Sequence, residues 1–157
     1  MEPVEIEFAV TGPTDPDAVA LAKAMTDEGD RVYADRGGLI RAQSLAELLR
    51  PGDRVLVGRI DGQPVACGAV RTLEPGIGEI KRMFVLPEHR GRGLGRGLLK
   101  ALEAEAVAMG FERLRLDTGE RQTEAIALYR AAGYRPIAAY NTTADLWFER
   151  DLADNVG

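Results

Sequence analysis

The sequence predicts an α/β chain folded as one domain over residues 1–157, with strands and amphipathic helices sharing one core. Three observations carry that expectation. Val4-Glu5-Ile6-Glu7-Phe8-Ala9-Val10 alternates strictly, the period of a half-buried strand. Residues 79–101, EIKRMFVLPEHRGRGLGRGLLKA, read as a buried strand, a Gly/Arg loop and an amphipathic helix in direct succession. Two helical patterns, 93–109 and 122–132, each stop at a glycine, Gly110 and Gly133, and each leads into a further strand pattern.

The elements follow in order. The first strand covers 4–10. Asp15-Pro16-Asp17 is an N-cap with proline at the first helical position, opening a helix to about residue 26 with Val19, Leu21, Ala22 and Met25 as its apolar residues. Residues 31–39 are polar and contain glycine, and 45–49 form a short helical piece closed by Pro51-Gly52. Strands at 54–60 and 65–73 meet at Asp61-Gly62, a hairpin signal. Another strand, 77–86, follows Pro75-Gly76, and Pro87 stops it. The helix from about 93 to 109 carries Leu94, Leu98, Leu99 and Leu102 on one face. A strand at 113–117, a helix at 122–132 and closing strands at 134–138 and 144–152 complete the chain.

Composition narrows the function classes. A chain of 157 residues buries one sizeable core, and no stretch approaches the length of a membrane span. MEPVEIEFAV starts acidic and alternates, unlike a signal peptide, so a cytoplasmic location is expected. One cysteine, Cys67, excludes an internal disulfide and a cysteine metal cluster, and the residue reads as a small core side chain. No metal is expected. The net charge of −5 disfavours a general nucleic-acid binder, yet Lys81, Arg82, Arg90, Arg92, Arg96 and Lys100 cluster around the glycine loop. A basic patch on an acidic chain fits one specific anionic ligand. The sequence is compatible with a homodimer.

The loop Arg90-Gly91-Arg92-Gly93-Leu94-Gly95 opens a helix directly. Its backbone N–H groups then face outward at the positive end of the helix dipole, and glycine lets a ligand approach closely. That is an anion site for a phosphate or pyrophosphate. The loop lacks the Gly-Lys-Ser/Thr of a Walker A sequence and matches the dinucleotide fingerprint poorly, although Asp117 does end the next strand.

Arg90-x-x-Gly93-x-Gly95, after a strand ending Val85-Leu86-Pro87, resembles the acyl-CoA pyrophosphate loop of the GCN5-related N-acetyltransferases (the GNAT family), Gln/Arg-x-x-Gly-x-Gly/Ala. The segment 125–134, AIALYRAAGY, resembles that family's A-x-x-L-Y-x-x-x-G-F/Y pattern. The likeness runs from the second strand onward. Residues 79–85 and Leu116-Asp117-Thr118-Gly119 match a subgroup with E-I/L-K-R-M-Y/F-V and L-x-T-G. The chain departs at Gln122, where many members carry an asparagine that contacts the coenzyme.

The resemblance implies the GNAT acyl-CoA N-acyltransferase fold, a mixed, mostly antiparallel sheet flanked by helices, and an acetyl-CoA-dependent N-acetyltransferase. Acyl transfer to an amine needs a neutral amine, a donor for the developing oxyanion, a proton for the leaving thiolate, and two substrates held together. Arg90, Gly91, Arg92, Gly93, Leu94, Gly95 and Arg96 would hold the pyrophosphate, with Gln122 as a further coenzyme contact. The strand edge at Met83, Phe84 and Val85 would pair with the pantetheine amides, and the Val85 N–H would face the thioester oxygen. Tyr129, also readable as a core tyrosine, would serve the thiolate. Glu79, early in the same strand, is the candidate base, or else a carboxylate paired with Lys81. His89 reads as an exposed neighbour of the anion loop, and Trp147 and Phe148 as packing. Tyr33, Arg36, Arg71, Thr118 and Asn141 are candidates for the acceptor pocket. The acceptor expected is a small amine such as an amino-acid-like metabolite. A protein N-terminus or lysine, a non-catalytic CoA-binding module and a dinucleotide binder stand as alternatives.

Overall fold

The computed structural model describes residues 5–38 and 43–155. The expected strand at 4–10 is β1, Glu7–Thr11; Val4 lies outside the described residues, as does Leu39 of the expected polar segment. Helix α1, Pro16–Val32, starts where the sequence places it, with the Asp15 carboxylate accepting from the Ala18 N–H at 3.0 Å. It runs about six residues further than expected. The polar residues of its last turns pack instead of fraying: Gly29 is buried and Glu28 is held by a distant arginine. A short helix α2, Leu45–Leu48, follows behind a capping box of Ser44 and Glu47.

Strands β2, Arg54–Ile60, and β3, Gln63–Glu74, form the expected hairpin, with positive φ at both Asp61 and Gly62. β4, Ile77–Val85, leads through the glycine loop into α3, Leu94–Ala108. β5, Arg113–Thr118, and α4, Thr123–Ala131, follow. The closing strands are shorter than expected: β6 is only Arg135–Pro136, and β7 is Leu146–Asp151. Tyr134 leaves the ladder because its side chain turns into the core, where its hydroxyl donates to Glu103 at 2.8 Å.

The seven strands make one mixed sheet, ordered β1-β2-β3-β4-β5-β7-β6. Among neighbours only β4 and β5 run parallel. One face packs against α3 and α4 through Leu98, Leu99, Leu102, Leu114, Leu116 and Phe148, all at most 1 % exposed. The other face packs against α1 and α2 through Leu21, Leu45, Val55, Val57 and Phe84. Cys67 belongs to this second layer, and burial pushes its thiol up to about 12, so it stays a protonated core residue. No helix among the described residues is long and apolar enough to cross a membrane.

Two irregularities position the site. β4 and β5 pair only over Ile77, Gly78 and Glu79, opposite Arg113, Leu114 and Arg115. Beyond Glu79 the two strands part. On its other side β4 carries a bulge: Cys67 and Ala69 of β3 face Phe84 and Lys81, so one extra residue sits in β4. Arg82 lies in that bulge with φ at +54°, one of two non-glycine residues with positive φ among the described residues.

Candidate active site

The parting of β4 and β5 opens a cleft of about 730 Å³. Its walls are the second half of β4, the end of β5, the glycine loop, the start of α4, the last turns of α1 and residues 142–145. All the expected cofactor contacts line it except Arg92, which points to solvent.

The glycine loop is shaped for an anion. Gly91 and Gly93 have φ of +81° and +77°, and a Cβ at either would meet no atom within 4 Å. The loop therefore faces open space in a conformation that costs only glycine little. Gly93 caps α3 with no side-chain acceptor, and the first intrahelical bond of its turn is Gly97 N–H to the Gly93 carbonyl. The N–H groups of Leu94, Gly95 and Arg96 precede that bond and have no helical partner. The arginines divide. Arg96 lines the cleft and makes no ion pair among the described residues. Arg90 is committed to the protein: its Nε donates to the Val85 carbonyl at 3.0 Å, and Nη2 spans both Glu28 oxygens at 3.0 and 2.9 Å. It locks the loop to β4 and α1. His89 is half-buried, with Nδ1 buried and unpaired, and it does not line the cleft; it is packed under the loop rather than exposed beside it.

The β4 edge has the expected polarity. The Leu86 N–H bonds to the Val65 carbonyl at 2.9 Å, and Val85 stands opposite Ala66. Strand alternation then turns the N–H groups of Val85 and Met83 away from β3, toward the cleft. Tyr129 of α4 reaches the same place. Its hydroxyl touches Met83 Sδ at 3.9 Å, while its ring packs near Tyr134 and Phe148. Burial, then the charge of Asp117, pushes its hydroxyl up to about 12. Tyr129 is thus both a core tyrosine and a cleft residue, and it keeps its proton at neutral pH. Gln122 lines the cleft at the N-cap of α4 without capping the helix, so its amide is available.

Glu79 lies elsewhere than a freely accessible base would. It is 0 % exposed and does not line the cleft. Arg71 Nε donates to its Oε1 at 2.8 Å, the Tyr140 hydroxyl donates to Oε2 at 2.7 Å, and Lys81 Nζ is 3.5 Å from Oε2. Tyr140 is pushed far up by burial and by this bond. Among the described residues, four carboxylates line the cleft, Glu28, Asp117, Glu124 and Asp145, and Asp117 is the one on β5 beside the β4 edge. It accepts from Lys81 Nζ at 3.1 Å and from Asn141 Nδ2 at 2.6 Å, and Asn141 is itself held by Trp147 Nε1 at 3.0 Å. Of the candidate pocket residues, Tyr33, Arg36 and Thr118 line the cleft, whereas Arg71 and Asn141 hold its carboxylates from behind. The sequence places Arg82 only in the basic patch and Asp117 only at a strand end, and it gives no signal for Tyr140 or for the hydrogen-bonding use of Trp147.

A strap of charges closes one wall. Arg121 bonds both Asp35 oxygens, at 2.6 and 2.9 Å, and Arg36 pairs with Glu120 and lies 3.5 Å from Asp145. Both guanidinium groups lie 5.3 Å from the centre of the Tyr33 ring. The Tyr33 hydroxyl accepts from the Arg121 N–H at 3.1 Å, and a Cβ on Gly119 would collide with that hydroxyl.

A family model described as Acetyltransferase (GNAT) family matches residues 18–134. The chain is 46% identical over 107 residues to the IAA acetyltransferase of Azospirillum brasilense, covering 68% of each protein. It is 35% identical over 111 residues to YjgM of Escherichia coli K12, an uncharacterized N-acetyltransferase, covering 66% of each. A Klebsiella pneumoniae structure assigned as an acyl-CoA N-acyltransferase matches with a TM-score of 0.78 and 33% identity, over 94% of this chain and 97% of that one. A GNAT family acetyltransferase from Elizabethkingia anophelis with acetyl-CoA bound shares the fold, with a TM-score of 0.64 at 15% identity over 93% of this chain and 97% of that one.

The Tyr33–Gly119 contact generates a prediction. Gly119→Ala should cost about 1–3 kcal/mol of stability by over-packing. The cost should shrink when Tyr33→Leu removes the facing ring, giving a coupling in a urea-unfolding double-mutant cycle. Equal costs in the two backgrounds would show that Gly119 answers to something other than Tyr33.

Proposed function

The chain belongs to the GNAT acetyltransferase family and is an N-acetyltransferase; from that premise we propose that it moves the acetyl group of acetyl-CoA to a primary amine of a small polar metabolite or amino acid, by direct attack in a ternary complex. The observation that carries this reading is the cleft itself: an anion-shaped glycine loop at one end, an unpaired strand edge along the middle, and a protonated tyrosine facing that edge. Acetyl-CoA fits these residues. The open loop and its free N–H groups suit a pyrophosphate, with Arg96 as the unpaired cation beside them. The Met83 and Val85 N–H groups suit the amides of an extended arm.

In the proposed reaction a bond forms between the amine nitrogen and the acetyl carbon as the carbon–sulfur bond breaks. The Val85 N–H donates to the carbonyl oxygen as it gains charge. Tyr129 donates its proton or a hydrogen bond to the leaving sulfur. A carboxylate receives the amine proton. Glu79 is the base that the sequence favours, but both its oxygens are engaged in a buried cluster. Asp117 opens on the cleft, so we assign the proton acceptor to it and give Glu79 the task of holding Arg71, Tyr140 and Lys81. Lys81, bonded to Asp117 and 3.5 Å from Glu79, joins the two.

Three measurements test this. Acetyl-CoA at a hundredfold excess over its dissociation constant should stabilise the fold by ~2.7 kcal/mol. Gly93→Glu should abolish that shift, and an undiminished shift would move the pyrophosphate elsewhere. Tyr129→Phe keeps the ring packing and should lower turnover ~10²-fold with little change in coenzyme affinity; full activity would leave Tyr129 with packing alone. Asp117→Asn should lower the rate by ~10²-fold near neutral pH, with partial recovery at high pH as free amine increases, while Glu79→Gln should lower stability and keep the shape of the pH–rate profile. The reverse pattern would return the base to Glu79.

A further inference from the structure

Charge is unevenly matched along the cleft. Five cationic side chains line it: Arg36, Lys81, Arg82, Arg90 and Arg96. Three are paired within the protein, Arg36 with Glu120 and Asp145, Lys81 with Asp117 and Glu79, and Arg90 with Glu28. Among the described residues, Arg82 and Arg96 have no ion pair. Arg96 stands at the glycine loop. Arg82 stands on the other side of the Met83–Val85 edge, next to the residue whose sulfur touches Tyr129.

Arg82 is an unusual place to leave a bare guanidinium. It is half-buried, and its pKa is lowered first by burial and then by the neighbouring Arg71, against the smaller opposing pull of Asp117 and Glu79. Among the described residues its side chain makes one hydrogen bond, from Nη2 to the Gln43 carbonyl at 2.9 Å. A guanidinium carries five N–H donors in a planar fork matched to a carboxylate, so most of its donors have no acceptor among the described residues. The two carboxylates nearest in the cluster bond other groups, Glu79 to Arg71 and Tyr140, and Asp117 through Oδ2 to Lys81 and Asn141, and act on Arg82 only through their charge. The backbone at Arg82 lies in the left-handed region, with φ at +54°. A half-buried guanidinium on the cleft wall, within the field of Asp117 and Glu79 but in ion-pair contact with neither among the described residues, has donors to offer an anionic group of the ligand.

We propose that the acceptor carries a carboxylate that seats on the Arg82 guanidinium, with its amine directed along β4 toward Val85 and Tyr129. The acceptor class is then an amino acid or another amino-carboxylate, and Arg82 is a specificity-determining residue. This inference rests on the acetyl-CoA-dependent reading above and narrows its acceptor. A polyamine or an unmodified lysine side chain would bring more positive charge to a site that already has an excess. Arg96 and Arg82 would thus mark the two ends of the cleft, one for the phosphates and one for the acceptor.

The test needs no known substrate. The wild-type protein, saturated with CoA, is titrated with a panel of N-acetyl amino acids, N-acetyl-β-alanine and N-acetyl-γ-aminobutyrate, each against its carboxamide, and thermal shift or calorimetry reads the affinity. At least one carboxylate should bind tenfold or more tightly than its amide. Arg82→Gln should erase that preference and Arg82→Lys should restore part of it, while the shift produced by acetyl-CoA alone persists. The matching free amino acid should be acetylated, with thiol release showing KM raised at least tenfold in Arg82→Gln. No carboxylate surpassing its amide in the wild type overturns the proposal. So does loss of the acetyl-CoA shift in a folded Arg82→Gln protein, which would assign Arg82 to the coenzyme. Failure of the wild type to bind acetyl-CoA would instead overturn the coenzyme reading, and amines acetylated without regard to a carboxylate would overturn only this one.

Discussion

The parallel pairing of β4 with β5 ends at Glu79 and Arg115, and the rest of the site depends on that break. A sheet that continued would satisfy every backbone group of β4 and leave nothing to offer a ligand. Because the strands part, the Met83 and Val85 N–H groups face a cleft instead of a neighbouring strand. Leaving such donors unpaired is costly in a buried place, so the break is stable only where water or a ligand can reach them. The bulge at Arg82 sits just beyond the break and increases the local bend.

The break is held open by side chains. On the α1–α2 face, Arg71, Glu79, Lys81, Asp117, Tyr140 and Asn141 form a connected polar layer where hydrophobic packing would draw the strands together. On the opposite face Ile80, Leu116 and Tyr129 belong to the main apolar core and keep the strands from separating further. Geometry set by two such layers is rigid, because the buried polar groups have most of their partners in fixed positions. In the proposed reaction that rigidity bears on catalysis, since a donor preset toward the thioester oxygen would not need to reorganise as charge develops.

How much of this was legible depended on how local each signal was. The glycine loop, the α3 helix behind it and the glycine stops are short-range patterns, and they appear where the sequence places them. The α1 extension was hidden because Gly29 and the acidic residues around it argue against a helix, and the packing that overrides them comes from Arg90, 62 positions from Glu28. The confinement of Glu79 was equally hidden: Tyr140 is 61 residues away, and nothing in a strand pattern announces it. Arg82 gives the least warning of all. The sequence groups it with the basic patch around the glycine loop, and only the register of β3 against β4 shows that it sits in a bulge, with no ion pair among the described residues.

A cleft that serves two substrates must separate their recognition, and in the proposed reading this one does so by where charge is left over. Near the middle, Lys81 is balanced by Asp117 and Glu79, so the reacting region carries little net charge to hold an ammonium or repel a developing oxyanion. Toward the ends, Arg96 and Arg82 make no ion pair among the described residues. Arg90, which the sequence groups with them, turns out to be the internal tie of the loop, its charge spent on Glu28 and its Nε on the Val85 carbonyl. That last bond couples recognition to chemistry. The arginine that fixes the anion loop also grips the peptide unit next to the proposed oxyanion donor, so one side chain holds both the loop and the strand edge at which the acetyl group would react.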